Sequence, residues 1–440
     1  MMKPIVLLAT ISLLCGSLKA AEFSVEKTET VRAVGKVIGR KPTEQADKKP
    51  VRIDLACESD AKESTSLTPT ATQVESRIAP PRLVLPKSIP AVVGIECNLY
   101  FDNVVLAARS GSLLFDVVCA KGSQQAERWT WTPSEMDVGS HSLELVVRDE
   151  INRRIASAQC KIDVVSSKRG EGHTLTMLMI GDSLTHQSTY PQRVVDQCLK
   201  SAGPKLTLIG SHTPNPTVPT LRHEGYGGWT ARRFATYFSE TARTGEYASR
   251  GSPFLYKTGT DAPRLDFTAY CRDMSEGRFP DVVSIFLGPN DIFSFDDETI
   301  EGGIDDMLSN LDLLLKMISE SSSATSIALL LPVPPAASQD AFGANYGSGQ
   351  TRWQYRRNQH RLVERMYERY VEPSTIASRL SLVPTHLGLD CVHNYPTASV
   401  PANSTTETTL IRQNNGVHPA SSGYHQIGDS LFAWLKSQTP

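Results

Sequence analysis

The stretch Leu175-Thr176-Met177-Leu178-Met179-Ile180-Gly181-Asp182-Ser183-Leu184 decides the fold. It opens as a nearly continuous apolar run, the pattern of a strand buried on both faces of a parallel sheet, and stops abruptly at glycine and polar residues. Similar runs recur at 206–209, 282–287, 327–331 and 380–383. Between them the pattern predicts helices over 191–202, 231–238, 304–319 and 351–370, with a last helix over 422–437. In segment 304–319, Ile304, Met307, Leu308, Leu311, Leu314 and Leu315 share one helical face. Strand–helix alternation implies a three-layer α/β/α fold, a parallel sheet with helices on both faces. Such folds place their sites at the carboxyl ends of the strands.

Upstream the pattern changes. Short runs with apolar residues at every second position lie at 113–118, 142–147 and 156–165, separated by turn signals at Pro133, Gly139 and 149–152. Strands recurring at this spacing predict a small antiparallel all-β sandwich. Trp129 and Trp131 share one strand face; a sandwich core or an interdomain contact is the expected role, stacking on a sugar the alternative. The stretch from Trp129-Thr130-Trp131-Thr132-Pro133 through Val138-Gly139-Ser140-His141 resembles the later strands of bacterial Ig-like domains.

Lys3, an apolar run over 5–15 and small residues up to Ala20 and Ala21 have the order of a secretory signal. The run is too short to span a bilayer, which takes about 20 residues. The expected organisation is a signal peptide at 1–20, a mostly extended linker at 21–80 rich in Lys, Glu, Thr, Ser and Ala, a sandwich at 81–168 and the α/β domain at 172–440. The mature chain is then secreted or periplasmic and has no integral membrane segment. Seven of the eight cysteines remain after cleavage, an odd number in a compartment that permits disulfides. No Cys-x-x-Cys pair and no carboxylate–His cluster suggests a metal. The 440 residues carry 45 Lys and Arg against 47 Asp and Glu, a net charge of −2, with 40% hydrophobic and 21% charged residues. That is an ordinary globular composition, and it lacks the basic surplus a nucleic-acid binder needs.

Four short motifs carry chemistry. Gly181-Asp182-Ser183-Leu184 ends the first strand just before a helix, whose N-terminus favours developing negative charge. Glu224-Gly225-Tyr226-Gly227-Gly228-Trp229-Thr230 follows the second strand. Gly288-Pro289-Asn290-Asp291 ends the third, and Asn415-Gly416-Val417-His418-Pro419 precedes the last helix. Each alone reads as a helix cap or a turn. In the order Ser, Gly, Asn, His along one sheet edge, they resemble the SGNH, or GDSL, hydrolase superfamily of esterases and lipases, over residues 174–437. The resemblance implies a flavodoxin-like sheet, no cofactor and a serine esterase. Ser183 matches the nucleophile and His418 the general base. Gly228, with Gly227 as rival, and Asn290 match the oxyanion donors. Losing one such donor typically costs about 10²–10³ in rate.

One position departs from the family pattern. Asn415 stands where the family has the Asp that orients the histidine, and a neutral amide cannot stabilise an imidazolium as a carboxylate does. Three outcomes are open: a dyad whose imidazole is held by Asn415 or a backbone carbonyl, a carboxylate such as Asp390 supplied from elsewhere, or lost activity. His186, His223 and Trp229 are candidate substrate contacts, as are His393 and Tyr395 in the loop 389–412. Wet loop regions at 240–280 and 334–375, together with export and the β domain, point to an acylated small molecule or polysaccharide as substrate, with O-acetyl carbohydrate preferred. A lipase or phospholipase, or a weakened carbohydrate-binding protein, is the alternative.

Overall fold

In a computed structural model, which describes residues 81–440 apart from 108–109, 201, 215–216, 241–249 and 371–378, short strands come first. The expected signal segment and linker lie outside the described residues, which all belong to one unit, residues 76–440. Strands β1 (Ser88–Val92), β7 (Arg154–Val165), β6 (Gly139–Arg148) and β3 (Leu114–Val118) form one sheet in that spatial order; β2 (Cys97–Tyr100), β5 (Arg128–Trp131) and β4 (Ser123–Gln124) form a second. The pairings are antiparallel with one exception, β1 beside β7, which is parallel. Alternation in a sequence tells which face of a strand is buried but not the direction of its neighbour, so this exception had no signature. Ile89, Leu99, Trp129, Trp131, Leu145 and Ile162 from the two sheets pack into one apolar cluster. Both tryptophans are therefore core residues. The short helix α1 (Phe101–Val104) adds Phe101 and Val104 to the same cluster.

The α/β region runs β8 (Thr174–Gly181), α2 (Ser183–His186), α3 (Thr189–Lys200), β9 (Lys205–Ile209), β10 (Glu224–Gly225) and α4 (Ala231–Thr236). A small ladder of β11 (Leu255–Tyr256) and β12 (Arg264–Leu265) follows, then α5 (Phe267–Ser275), β13 (Val282–Phe286), α6 (Pro289–Ile292), α7 (Ile300–Ser321) and β14 (Ser326–Leu330). The chain closes with α8 (Gln339–Tyr346), α9 (Arg352–Tyr370), β15 (Leu380–Val383), the hairpin β16 (Thr397–Pro401) and β17 (Thr409–Gln413), and α10 (Ser421–Gln438). The main sheet is wholly parallel: β8 lies between β13 on one side and β9 and β10 on the other, and β14 and β15 extend the sheet beyond β13.

Alternate residues of each central strand enter different cores. Leu178 and Ile180 of β8, Val283 and Ile285 of β13, and Ile327 and Leu329 of β14 face one cluster with helices α4, α5, α7 and α9. Met177 and Met179, Val282 and Phe286, and Ala328 and Leu330 face a second with α3 and α10. Burial on both faces explains why these strands read as continuous apolar runs. Helix α7 buries Ile304, Met307, Leu308, Leu311, Leu314 and Leu315, the stripe read from the sequence, and begins earlier, at Ile300. The regions 240–280 and 334–375 are less wet than expected. Helix α5 buries Phe267, Ala269, Tyr270 and Cys271, and its N-cap Asp266 accepts from the Ala269 N–H; α8 buries Ala341 and Phe342. Both helices are short, so their apolar spacing gave little periodicity to read. Cys97, Cys119, Cys160, Cys198, Cys271 and Cys391 are all free thiols. No described helix is long and apolar enough to cross a membrane.

Leu311 is fully buried and Leu313, two positions on, is 46% exposed. Leu311→Ala should cost about 2–5 kcal/mol of unfolding free energy, and Leu313→Ala less than about 0.5 kcal/mol, both read from urea unfolding midpoints. Equal losses would contradict the assigned face of α7.

Candidate active site

The chain leaves β8, pairs β9 and β10 on one side of it, and then crosses to β13 on the other. This reversal opens a crevice at the carboxyl end of β8, the usual ligand position in an open parallel sheet. Gly181 and Asp182 lead out of the strand there. A Cβ on Gly181 would lie 2.8 Å from the carbonyl oxygen of Phe286 at the end of β13, so only glycine lets the two strand ends close up. Asp182 is the N-cap of α2, and its Oδ1 accepts from the Leu184 N–H at 2.9 Å. Ser183 is the first helical residue. Its N–H lies in the helix's first turn and has no partner within that helix.

His418 reaches the same point from the other end of the chain. It stands between β17 and α10, and its Nε2 lies 2.8 Å from Ser183 Oγ. Both residues are half-buried. Burial holds the imidazole below its ordinary value, which keeps it neutral and able to take a proton. Among the described residues no hydrogen bond joins Asn415 to the imidazole. Asn415 Oδ1 accepts from the backbone N–H groups of Val417 and His418, at 3.1 and 2.9 Å, and so shapes the turn that presents the histidine. Asp390 is engaged elsewhere, accepting from the N–H groups of Val392 and His393, from Tyr100 Oη at 3.2 Å, and pairing with His393 Nδ1 at 3.0 Å.

The glycine and asparagine motifs meet the residues just before the serine, Tyr226 N–H donating to the Gly181 oxygen and Asn290 to Asp182. Gly228 has φ +76°, a conformation that favours glycine, and is exposed with open space on its Cβ side; Gly227 has no such φ, which separates it from its rival. Asn290, in the first turn of α6, donates through Nδ2 to the Trp229 carbonyl oxygen at 3.1 Å and to Asp182 Oδ2 at 3.3 Å. In this state its amide ties the three loops together. Asp182 is fully buried, and burial raises its carboxyl to about 7. Its neighbour in the site, Asp291, is raised to about 8, first by burial and then by Asp182. Asp291 Oδ1 accepts from the Ala231 N–H at 2.9 Å, while its buried Oδ2 has no partner. Neither acid was singled out as a site group from the sequence, although each adjoins a motif residue.

Three of the expected substrate contacts have no surface to offer. Trp229 and His223 are fully buried, and Tyr395 is 2% exposed with its hydroxyl donating to the Pro334 carbonyl oxygen. Trp229 packs on Tyr226 and Phe234. A tryptophan beside exposed glycines reads as a contact in sequence; here its large apolar ring anchors the loop from below. His223 Nδ1 accepts from the Gly225 N–H at 3.0 Å and its Nε2 lies 2.9 Å from Ser188 Oγ. His186 keeps partial exposure and meets His212, Nδ1 to Nε2 at 3.0 Å, with stacked rings. His212 was not singled out. It enters through an isolated bridge to His223, a long-range pairing without a local signal. His393 is exposed.

No protein-family model matches the chain, and no curated protein matches it. Solved structures similar to it include a carbohydrate esterase family 3 protein from Talaromyces cellulolyticus, at 14% identity over 60% of this chain and 96% of that one, with a TM-score of 0.34. A family 3 carbohydrate esterase of Clostridium thermocellum is 15% identical over 59% of this chain and 94% of that one, TM-score 0.32. A lipase/acylhydrolase from Enterococcus faecalis is 16% identical over 61% and 98%, TM-score 0.31.

Burial lowers His223 to about 3, with help from His212 and His186, and lowers His212 to about 4. The unfolded chain therefore takes up these protons first, below about 6.5. Their contribution to stability is complete above that value and declines as pH falls towards 4 and 3. Thermal midpoints from pH 7 to 4.5 should fall less steeply for His223→Gln than for the parent. Parallel curves would show that His223 is not a buried neutral imidazole.

Proposed function

We propose that this chain is an exported serine esterase of the SGNH type that hydrolyses O-acyl esters, O-acetyl groups on carbohydrate in the first place. The observation that carries the reading is the 2.8 Å contact between Ser183 Oγ and His418 Nε2 at the crevice of a parallel sheet. A serine hydroxyl is a weak nucleophile near neutral pH unless an adjacent base takes its proton. His418 is that base. As its Nε2 accepts the proton, Ser183 Oγ bonds to the ester carbonyl carbon and the carbonyl π electrons move to oxygen. The N–H groups of Ser183 and Gly228 hold that oxyanion, and Asn290 keeps their loops in register or exchanges one of its long hydrogen bonds for the substrate oxygen. His418 then protonates the departing alkoxide. Water, deprotonated by the same imidazole, attacks the acyl-enzyme and releases the acid and free Ser183.

The base works as half of a dyad in this reading. Asn415 and Asp390 both spend their oxygens on other partners, and among the described residues no carboxylate pairs with the His418 ring. Burial favours the neutral ring instead. Gln187, near Ser183 in the chain, and Asn414, near His418, are exposed, hydrogen-bonding groups suited to sugar hydroxyls. One observation favours a second reading, a lipase: the β16–β17 hairpin leading to His418 exposes Leu410 and Ile411, which suit a longer acyl chain.

Hydrolysis of acetylated xylan and of p-nitrophenyl esters of increasing chain length tests the function. Acetyl esters should be the best substrates, and Ser183→Ala or His418→Ala should lower kcat by about 10⁴ or more. The acid limb of kcat/KM should have its midpoint below about 6.5, since burial depresses the base. Cleavage of long-chain esters alone would replace the carbohydrate reading by the lipase one; full activity without Ser183 would end both.

A further inference from the structure

Away from Ser183 and His418, a cavity of about 600 Å³ opens between the β region and the α/β region. One wall is Tyr100, Phe101 and Phe115; the other is Arg352, Trp353 and Arg356 at the start of α9. The two guanidinium groups have no carboxylate within ion-pair distance among the described residues. Arg352 Nε donates to the Ala336 carbonyl oxygen at 3.0 Å. Arg356 is 4% exposed and spends its N–H groups on neutral acceptors, the Gln359 side chain and the Asp102 backbone oxygen. Burying a cation without a counter-ion is costly, several kcal/mol even after relaxation, and burial, with the neighbouring Arg352 charge behind it, lowers Arg356 to about 10. The acids nearby do not answer it. Asp390 is engaged by the N–H groups of Val392 and His393, by the Tyr100 hydroxyl and by the His393 ring, while Asp102 and Glu127 are exposed at the rim.

The rest of the lining says what kind of anion fits. Phe101 and Phe115 are stacked, with ring centroids 4.8 Å apart. The Trp353 ring is 36% exposed, and the Arg352 guanidinium lies 4.9 Å from its centre. The Trp353 face beside guanidiniums that lack a counter-ion matches a pyranose ring that carries a carboxylate, which an arginine fork can bind through two hydrogen bonds. The cavity is linked to the loop of His418 by two hydrogen bonds. Ala336, whose oxygen Arg352 holds, donates its N–H to the Gly416 carbonyl oxygen at 3.1 Å, two residues before His418. Cavity and crevice thus share the carboxyl edge of the sheet.

We propose that this cavity is a binding subsite for a uronic-acid residue of a polysaccharide chain, with Arg352 and Arg356 taking the carboxylate and Trp353 the sugar face. The subsite deepens the esterase reading and rests on it only for the bond that is cut: a chain seated here presents a neighbouring acylated sugar to Ser183.

Calorimetric titration of the full Ser183→Ala chain with tetragalacturonic acid, cellotetraose and acetate tests it. Tetragalacturonic acid should bind saturably, and at least about tenfold more tightly than cellotetraose or acetate, a difference that raised salt reduces. Arg352→Gln and Trp353→Ala, in the same Ser183→Ala background and with circular dichroism confirming their fold, should each weaken it about tenfold. Absence of binding, equal binding of the neutral sugar or of acetate, or indifference to both substitutions would overturn the proposal. Because the titrated chain lacks its nucleophile, binding without esterase activity in the parent would sink the esterase reading alone, and p-nitrophenyl acetate hydrolysis without tetragalacturonic acid binding would sink this one alone.

Discussion

A single hydrogen bond, from Ser183 Oγ to His418 Nε2, joins residues 235 positions apart and fixes what the rest of the α/β region must achieve. The serine comes from the first strand of the main sheet, the histidine from the loop before the last helix. Their meeting requires β8 to lie centrally in the sheet and α10 to fold back over the same face as α3, which it does through Tyr424, Ile427 and Leu431. The apolar layers are therefore not a neutral scaffold. Each central strand feeds alternate side chains into two cores, and a slip of one residue would exchange them and carry Ser183 away from His418.

Burial sets the electrostatics of the crevice. Asp182 and Asp291 are raised to about 7 and about 8, while His418 is lowered. All three shifts, each caused first by burial, push towards the neutral form of the group. A poorly hydrated site makes each hydrogen-bond donor aimed at a developing oxyanion worth more than it would be in water. The same burial favours the neutral form of the His418 ring.

The parallel sheet was legible in the sequence because its strands are buried on both faces and leave unbroken apolar runs, and α7 because its stripe of Ile, Met and Leu keeps one phase over several turns. The meeting of Ser183 and His418 was legible because both motifs lie in turns close to the start of a helix. What was not legible depends on where a side chain points. Asn415 adjoins the base in sequence, yet its oxygen turns to two backbone N–H groups. Trp229 sits in an exposed motif with its ring in the core. His212 joins His186 and His223 through a bridge that no periodicity announces. The parallel neighbour of β7 was hidden for the same reason, since pairing direction belongs to the assembled sheet and not to either strand.

Labelling with a fluorophosphonate ester, which reacts only with an activated serine, tests the central contact most directly when the adduct is mapped by peptide mass spectrometry. The account predicts one adduct, on Ser183, that disappears in His418→Ala. An adduct on another serine, or equal labelling of Ser183 without His418, would contradict it.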